Sequence, residues 1–152
     1  MEKLIVEIGI KLNENLFYYD KILKENGLEN DIILCGKISD RYELSCYYKR
    51  ADLFLFPSMY DSSSIVQIES ASQSTPGLFI RGSVTATGIS DNINGFLAEN
   101  SLDSYSNRII EIMEDEELYK KVALNSFRDI YINWEEKIEE VYNIYMEFIN
   151  KK

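Results

Sequence analysis

The four residues LFLF at 53–56, stopped by Pro57, are the plainest of several short apolar runs that alternate with longer segments of helical periodicity. Runs of that length, bounded by turn residues, are strands; segments whose apolar residues recur every three or four positions are amphipathic helices. This pattern predicts a strand over Leu4–Ile10, a helix from Asn13 or Glu14 to Asn26 closed by Gly27, and a strand over Asp31–Cys35. It continues with a helix from Ser39 or Asp40 to Lys49, the strand Leu53–Phe56 and a helix over Ser64–Gln73. Short strands at Leu78–Ile80 and Gly95–Ala98 follow, then three helices near 101–113, 115–130 and 134–149. Strands that alternate with helices build a parallel sheet covered on both faces. The expected fold is one α/β domain over 1–152 with a helical C-terminal end.

Composition narrows the function. At 152 residues, 45% apolar and 28% charged, the chain is long enough for one sizeable core. Its formal net charge of -10 opposes electrostatic binding to nucleic acid or to an anionic membrane. A small anionic ligand stays compatible, because backbone N–H groups and a few cations can hold a phosphate locally. There is no histidine, which removes Ser-His and Cys-His catalysis and histidine metal sites. The two cysteines, Cys35 and Cys46, have neither CxxC spacing nor the density of a secreted scaffold, and Cys35 reads as a buried small residue. No signal peptide opens the chain and no run approaches about 18 apolar residues, so a cytoplasmic protein without a transmembrane segment is expected.

The segment PSMYDSSSIVQIESASQSTP, Pro57 to Pro76, carries the densest chemistry. It leaves the carboxyl end of a strand and enters a helix, which is where open parallel sheets bind ligands. Asp61 and Ser62, Ser63 and Ser64 stand before or within the first helical turn, whose free N–H groups favour an anion. Glu69 follows eight positions after Asp61, and its carboxylate can accept hydroxyl hydrogens in the same cleft. A simpler account makes the serines helix caps, Asp61 a dipole partner and Glu69 a solvated helix residue. Spacing alone leaves both open.

The same segment resembles the stretch P-S-x-Y-E-G-F-G-L-x-x-L-E-A-M-A-x-G-x-P of the group 1 retaining glycosyltransferases of GT-B fold. The carboxylate pair of that family is carried here as Asp61 and Glu69. GLENDIILCGKIS, YYKRADLFLFPS and GISDNINGFLAEN resemble further family segments in the same order, as does the tail with Trp134 and its tyrosines. The resemblance implies a Rossmann-like parallel sheet flanked by helices, one half of a GT-B fold, that binds a nucleotide-sugar donor. It implies that Glu69 bonds the ribose, that Asp61 lies by the transferred sugar, and that the backbone of Ser62, Ser63, Ser64 and Ile65 holds the diphosphate. Lys37 and Ile38 would lie near the base. Transfer would retain the anomeric configuration and need neither metal nor cofactor, the nucleotide sugar being the substrate.

The pattern also departs from the family. Asp61 is one methylene shorter than glutamate, Ser62, Ser64 and Ser74 replace glycines, and Thr87 stands where a later glutamate falls. The family's first strand-helix unit, with its Arg and Lys for the diphosphate, has no counterpart, nor has the acceptor-binding N-terminal domain. Lys11 is a candidate local cation. One expectation is therefore a donor domain that needs a missing N-terminal domain or partner chain for the acceptor, with little activity alone. The acceptor would be a glycan or lipid-linked molecule of polysaccharide biosynthesis, reached at the inner membrane face. The alternative is a degenerate, non-catalytic binding or interaction module of the same fold. A phosphoacceptor receiver domain is set aside, since Gly9 and Pro57 occupy the places of its acidic residues. EDEE at 114–117 reads as a helix N-terminus rather than a metal site, and Ile138, Val141, Tyr142, Tyr145 and Ile149 as a core-packing stripe.

Overall fold

A computed structural model describes residues 5–6, 16–60 and 65–150. In chain order the elements are β1 (Ile5–Val6), α1 (Leu16–Glu25), α2 (Arg41–Arg50), β2 (Leu53–Phe56), α3 (Ile65–Ser72) and β3 (Gly77–Ile80). A 3-10 turn over Val84–Ala86 precedes β4 (Phe96–Ala98), α4 (Leu102–Glu114), α5 (Glu116–Ile130) and α6 (Trp134–Asn150). The four strands form one parallel sheet in the order β1-β2-β3-β4. Phe54 pairs with Gly77, and Leu78 with Phe96.

Successive residues of a strand face opposite sides of the sheet, and both sides are covered here. Leu53 and Leu55 of β2, Leu78 of β3, and Phe96 and Ala98 of β4 face Ile109, Ile112, Leu118 and Val122 of α4 and α5. Phe54, Phe56, Phe79 and Leu97 turn the other way, onto Leu44 and Tyr48 of α2 and Val66 of α3. Hence LFLF has no polar position: each of its residues lies against one helical layer or the other.

Local signals set the helix ends. Asp40 caps α2, accepting from the Glu43 N–H at 2.8 Å, and Asp115 caps α5 by accepting from the Leu118 N–H at 2.9 Å. EDEE is thus a helix start, with Glu116 and Glu117 in the first turn. Gly27 and Gly36 take φ of 68° and 65°, in the left-handed region that favours glycine, Gly27 just past the end of α1.

Three expectations need correction. The segment 31–35 forms no strand: the N–H groups of Asp31 and Ile32 donate back to the Leu28 carbonyl, Ile33 is 71% exposed, and Cys35 is half-buried rather than buried. The rest of the Leu4–Ile10 strand and the start of the first helix lie outside the described residues. The α6 stripe does not enter the core, for Ile138, Val141, Tyr142, Tyr145 and Ile149 are all exposed. The 3-10 turn was not anticipated; Ser83 caps it, accepting from the Ala86 N–H at 3.2 Å.

Candidate functional site

The strand direction decides where the helices begin. α2 runs back to the amino end of β2, and α3 leaves the carboxyl end of β2, so both helices start at the carboxyl edge of the sheet. The loop after β2 is tied down there. The Thr85 hydroxyl donates to the Ser58 carbonyl at 2.7 Å, and the Val84 N–H to the Met59 carbonyl at 3.3 Å. Asp61, Ser62, Ser63 and Ser64 fall outside the described residues, as does Lys11. Ile65 opens α3 and is exposed.

Glu69 lies in the second turn of α3, on the side where α3 packs beside α2. It is not a solvated helix residue. Its side chain is 24% exposed, and its carboxylate accepts a hydrogen bond from the Arg41 guanidinium. Arg41 opens α2 directly after the cap Asp40. A cation at a helix N-terminus is disfavoured by the dipole, so this arginine needs an acidic partner from elsewhere in the fold. Beneath the pair lies Tyr48, 2% exposed. Its hydroxyl meets no partner within hydrogen-bond geometry, although the Glu69 carboxylate is near enough to act on it. Burial, then the Glu69 charge, pushes the phenol well above the ordinary tyrosine range, and the Arg41 charge opposes that shift.

The loop from Gly36 to Asp40 delivers Arg41 to this place. Lys37 on it is exposed and Ile38 half-buried; both precede Arg41 in the chain. Sequence reasoning singled out Glu69, Lys37 and Ile38; it missed Arg41 and Tyr48, which the fold brings to Glu69. The position of Arg41, a cation in the first turn of a capped helix, was the available signal.

A second polar cluster holds the segment 88–98. The Asp91 carboxylate accepts from Arg81 at 2.6 Å, from Arg108 at 3.2 Å and from the Leu97 N–H at 3.0 Å. Arg108 also bonds Asn92, which sits at φ 61°, and lies 5.6 Å from the centre of the Phe96 ring. Asn94 bridges the loop internally, its amide oxygen accepting from the Ser90 N–H and its amide nitrogen donating to the Gly88 carbonyl. Arg81 and Arg108 thus tie the loop to β3 and α4, while the buried Nε of Arg108 meets no hydrogen-bond partner among the described residues. Thr87, where the family pattern has glutamate, donates its hydroxyl to the Val84 carbonyl. Among the described residues no three His, Cys, Asp or Glu side chains converge on a metal position, and no helix is long and apolar enough to cross a membrane.

Known proteins give the cluster its context. Residues 5–129 match the model of the family "Glycosyl transferases group 1". Sucrose-phosphate synthase from Thermosynechococcus elongatus superposes with a TM-score of 0.78 at 19% identity, over 99% of this chain and 39% of that one. The C-terminal domain of a group 1 family glycosyl transferase from Francisella tularensis gives 0.68 at 20% identity, over 80% of this chain and 63% of that one. Anabaena HepE, in complex with UDP and glucose, gives 0.65 at 19% identity, over 77% of this chain and 32% of that one. The chain therefore spans less than two thirds of each of these proteins. No curated protein matches it. Its fold is that of the C-terminal Rossmann-like domain of the GT-B glycosyltransferases, and the match over residues 5–129 makes the chain a member of the group 1 glycosyl transferases.

Proposed function

We propose that this chain is the donor-binding domain of a retaining glycosyltransferase, and that the Glu69 carboxylate receives the ribose hydroxyls of a nucleotide sugar. The observation that carries the reading is the position of Glu69: a part-buried carboxylate on α3, near the edge where α2 and α3 both begin. Such a group accepts two vicinal hydroxyls well. In this reading Asp61 lies by the transferred sugar, the backbone of Ser62, Ser63, Ser64 and Ile65 takes the diphosphate, and Lys37 and Ile38 flank the base. That HepE was solved with UDP and glucose supports a nucleotide sugar as the donor. The acceptor is then held by a separate N-terminal domain or partner chain, at the inner face of a membrane if it is lipid-linked.

A second reading has one observation in its favour. Serine at 62 and 64 adds side chains where the family pattern has glycine, and a phosphate needs close backbone approach. On that reading the chain is a non-catalytic module of the same fold. A nucleotide panel decides between them. The chain is titrated with UDP, GDP and ADP at millimolar concentration and followed by protein-observed NMR. Selective shifts over residues 62–69 that vanish in Glu69→Ala are the expected result. No shift there with any of the three nucleotides favours the non-catalytic module.

A further inference from the structure

The carboxylate assigned to the ribose is already occupied. Arg41 reaches across from the start of α2 and donates to Glu69, while its own side chain is 79% exposed. Because its arginine is exposed and free to swing away, this pair is worth no more than about fivefold in an equilibrium, so a ligand can displace it. The guanidinium released would stand within one long, rotatable side chain of the ligand that displaced it. In a chain of net charge -10, a ligand carrying two phosphates is otherwise repelled by the overall field.

We infer that Arg41 is a specificity-determining residue of the Glu69 site: it yields the carboxylate to a sugar diol and takes the anionic group of the same ligand in exchange. The inference rests on the donor-site reading and adds the selection of a phosphorylated over an unphosphorylated nucleoside. The magnitudes point one way. A neutral nucleoside must break the Arg41–Glu69 pair and offers the arginine nothing in return. A diphosphate offers a planar guanidinium paired, charge-assisted hydrogen bonds, worth about tenfold to a hundredfold. The gain on the phosphate side exceeds the loss of the exposed pair, so Arg41 favours the charged ligand overall. Tyr48 completes the arrangement. Its buried hydroxyl lies near Glu69 without a hydrogen-bond partner, leaving the carboxylate a donor from below when Arg41 moves away.

The test compares matched pairs: UDP with uridine, GDP with guanosine, and ADP with adenosine. Each is titrated by NMR into the wild-type chain, Arg41→Gln and Arg41→Lys. Because Arg41 is exposed, an unchanged spectrum outside the site certifies that the variants fold. In the wild type the diphosphate should bind more tightly than its nucleoside. In Arg41→Gln that preference should fall about tenfold or more, through weaker diphosphate binding, with nucleoside binding equal or slightly tighter. Arg41→Lys, which keeps the charge but not the fork, should restore part of it. A preference that survives Arg41→Gln intact would overturn the role of Arg41 while leaving the donor site standing. Failure of the wild-type chain to bind any of the six ligands would remove the donor-site reading and this inference together.

Discussion

Gly77 begins β3 at a place with no room for a side chain: a Cβ built there would lie 2.3 Å from the Phe79 ring. Phe79 is 1% exposed and packed among Tyr48, Phe54 and Phe56, so the ring has nowhere to go. Gly77→Ala should therefore destabilise the chain by about 1–3 kcal/mol, an overpacking cost, read as a lowered denaturant midpoint; an unchanged midpoint would mean that the ring moves freely. Ser74 presents the opposite case. It holds φ 59° in the turn between α3 and β3, a conformation a residue with a Cβ adopts at a cost. Ser74→Gly, which restores the residue the family pattern has there, should be neutral or stabilising by up to about 1 kcal/mol. Tyr48 gives a pH signature. Its phenol is raised in the folded chain above the ordinary 10.0, by burial first and then by Glu69. A group raised on folding contributes stability that is whole below its unfolded value and is lost as pH climbs through the folded one. Stability should hold up to about pH 10 and fall above it, and Tyr48→Phe should flatten that alkaline decline in urea melts collected at several pH values.

At the scale of elements, what the sequence made legible is what local pattern decides. LFLF was readable because a strand buried on both faces admits no polar position, and α2 and α5 because Asp40 and Asp115 sit where caps belong. Residues 31–35 have the same apolar look as LFLF, yet they join no ladder among the described residues, and an apolar run by itself does not supply a partner strand. Arg41 and Tyr48 were missed for a related reason: α2 and α3 place them against Glu69, and no short-range pattern records that. Helix α6 shows the limit of periodicity, which reveals an apolar face but not what covers it. Trp134, Ile138, Val141, Tyr145 and Phe148 follow one another at helical spacing and are exposed; Phe127 of α5 and Tyr131, just past its end, form a further exposed, stacked pair. So wide a face suits a second domain or partner. The double variant Ile138→Glu/Tyr145→Glu should leave the melting midpoint of the chain unchanged within about 0.5 kcal/mol and reduce light scattering at high concentration. A large loss of stability would show that α6 packs inside the domain after all. Asp91 belongs with the caps as a local organiser. Asp91→Ala strips Arg108, whose side chain is only 17% exposed, of a carboxylate partner and should cost about 1–3 kcal/mol.

For the whole molecule the limiting fact is that one domain offers one wall of a cleft. Transfer of a sugar needs donor and acceptor held together with water kept out, and those demands are met between two surfaces. On the donor-site reading, one such surface would be the edge where α2 and α3 start, with the Glu69 carboxylate paired to Arg41 and the loop after β2 braced by the turn at Val84–Ala86. Binding and turnover should therefore separate in this chain. A nucleotide supplied at ten times its dissociation constant stabilises the folded state by about 1.4 kcal/mol, enough to raise the melting temperature of a domain this size by about 3–5 °C. That rise should appear with one nucleotide of the panel and disappear in Glu69→Ala. Sugar release from the matching donor, followed by mass spectrometry on the same sample, should stay at the level of buffer alone. Turnover by the isolated chain would show that a single wall suffices for the chemistry. A thermal shift without turnover would fit the donor-site reading, in which the acceptor is held by a separate surface.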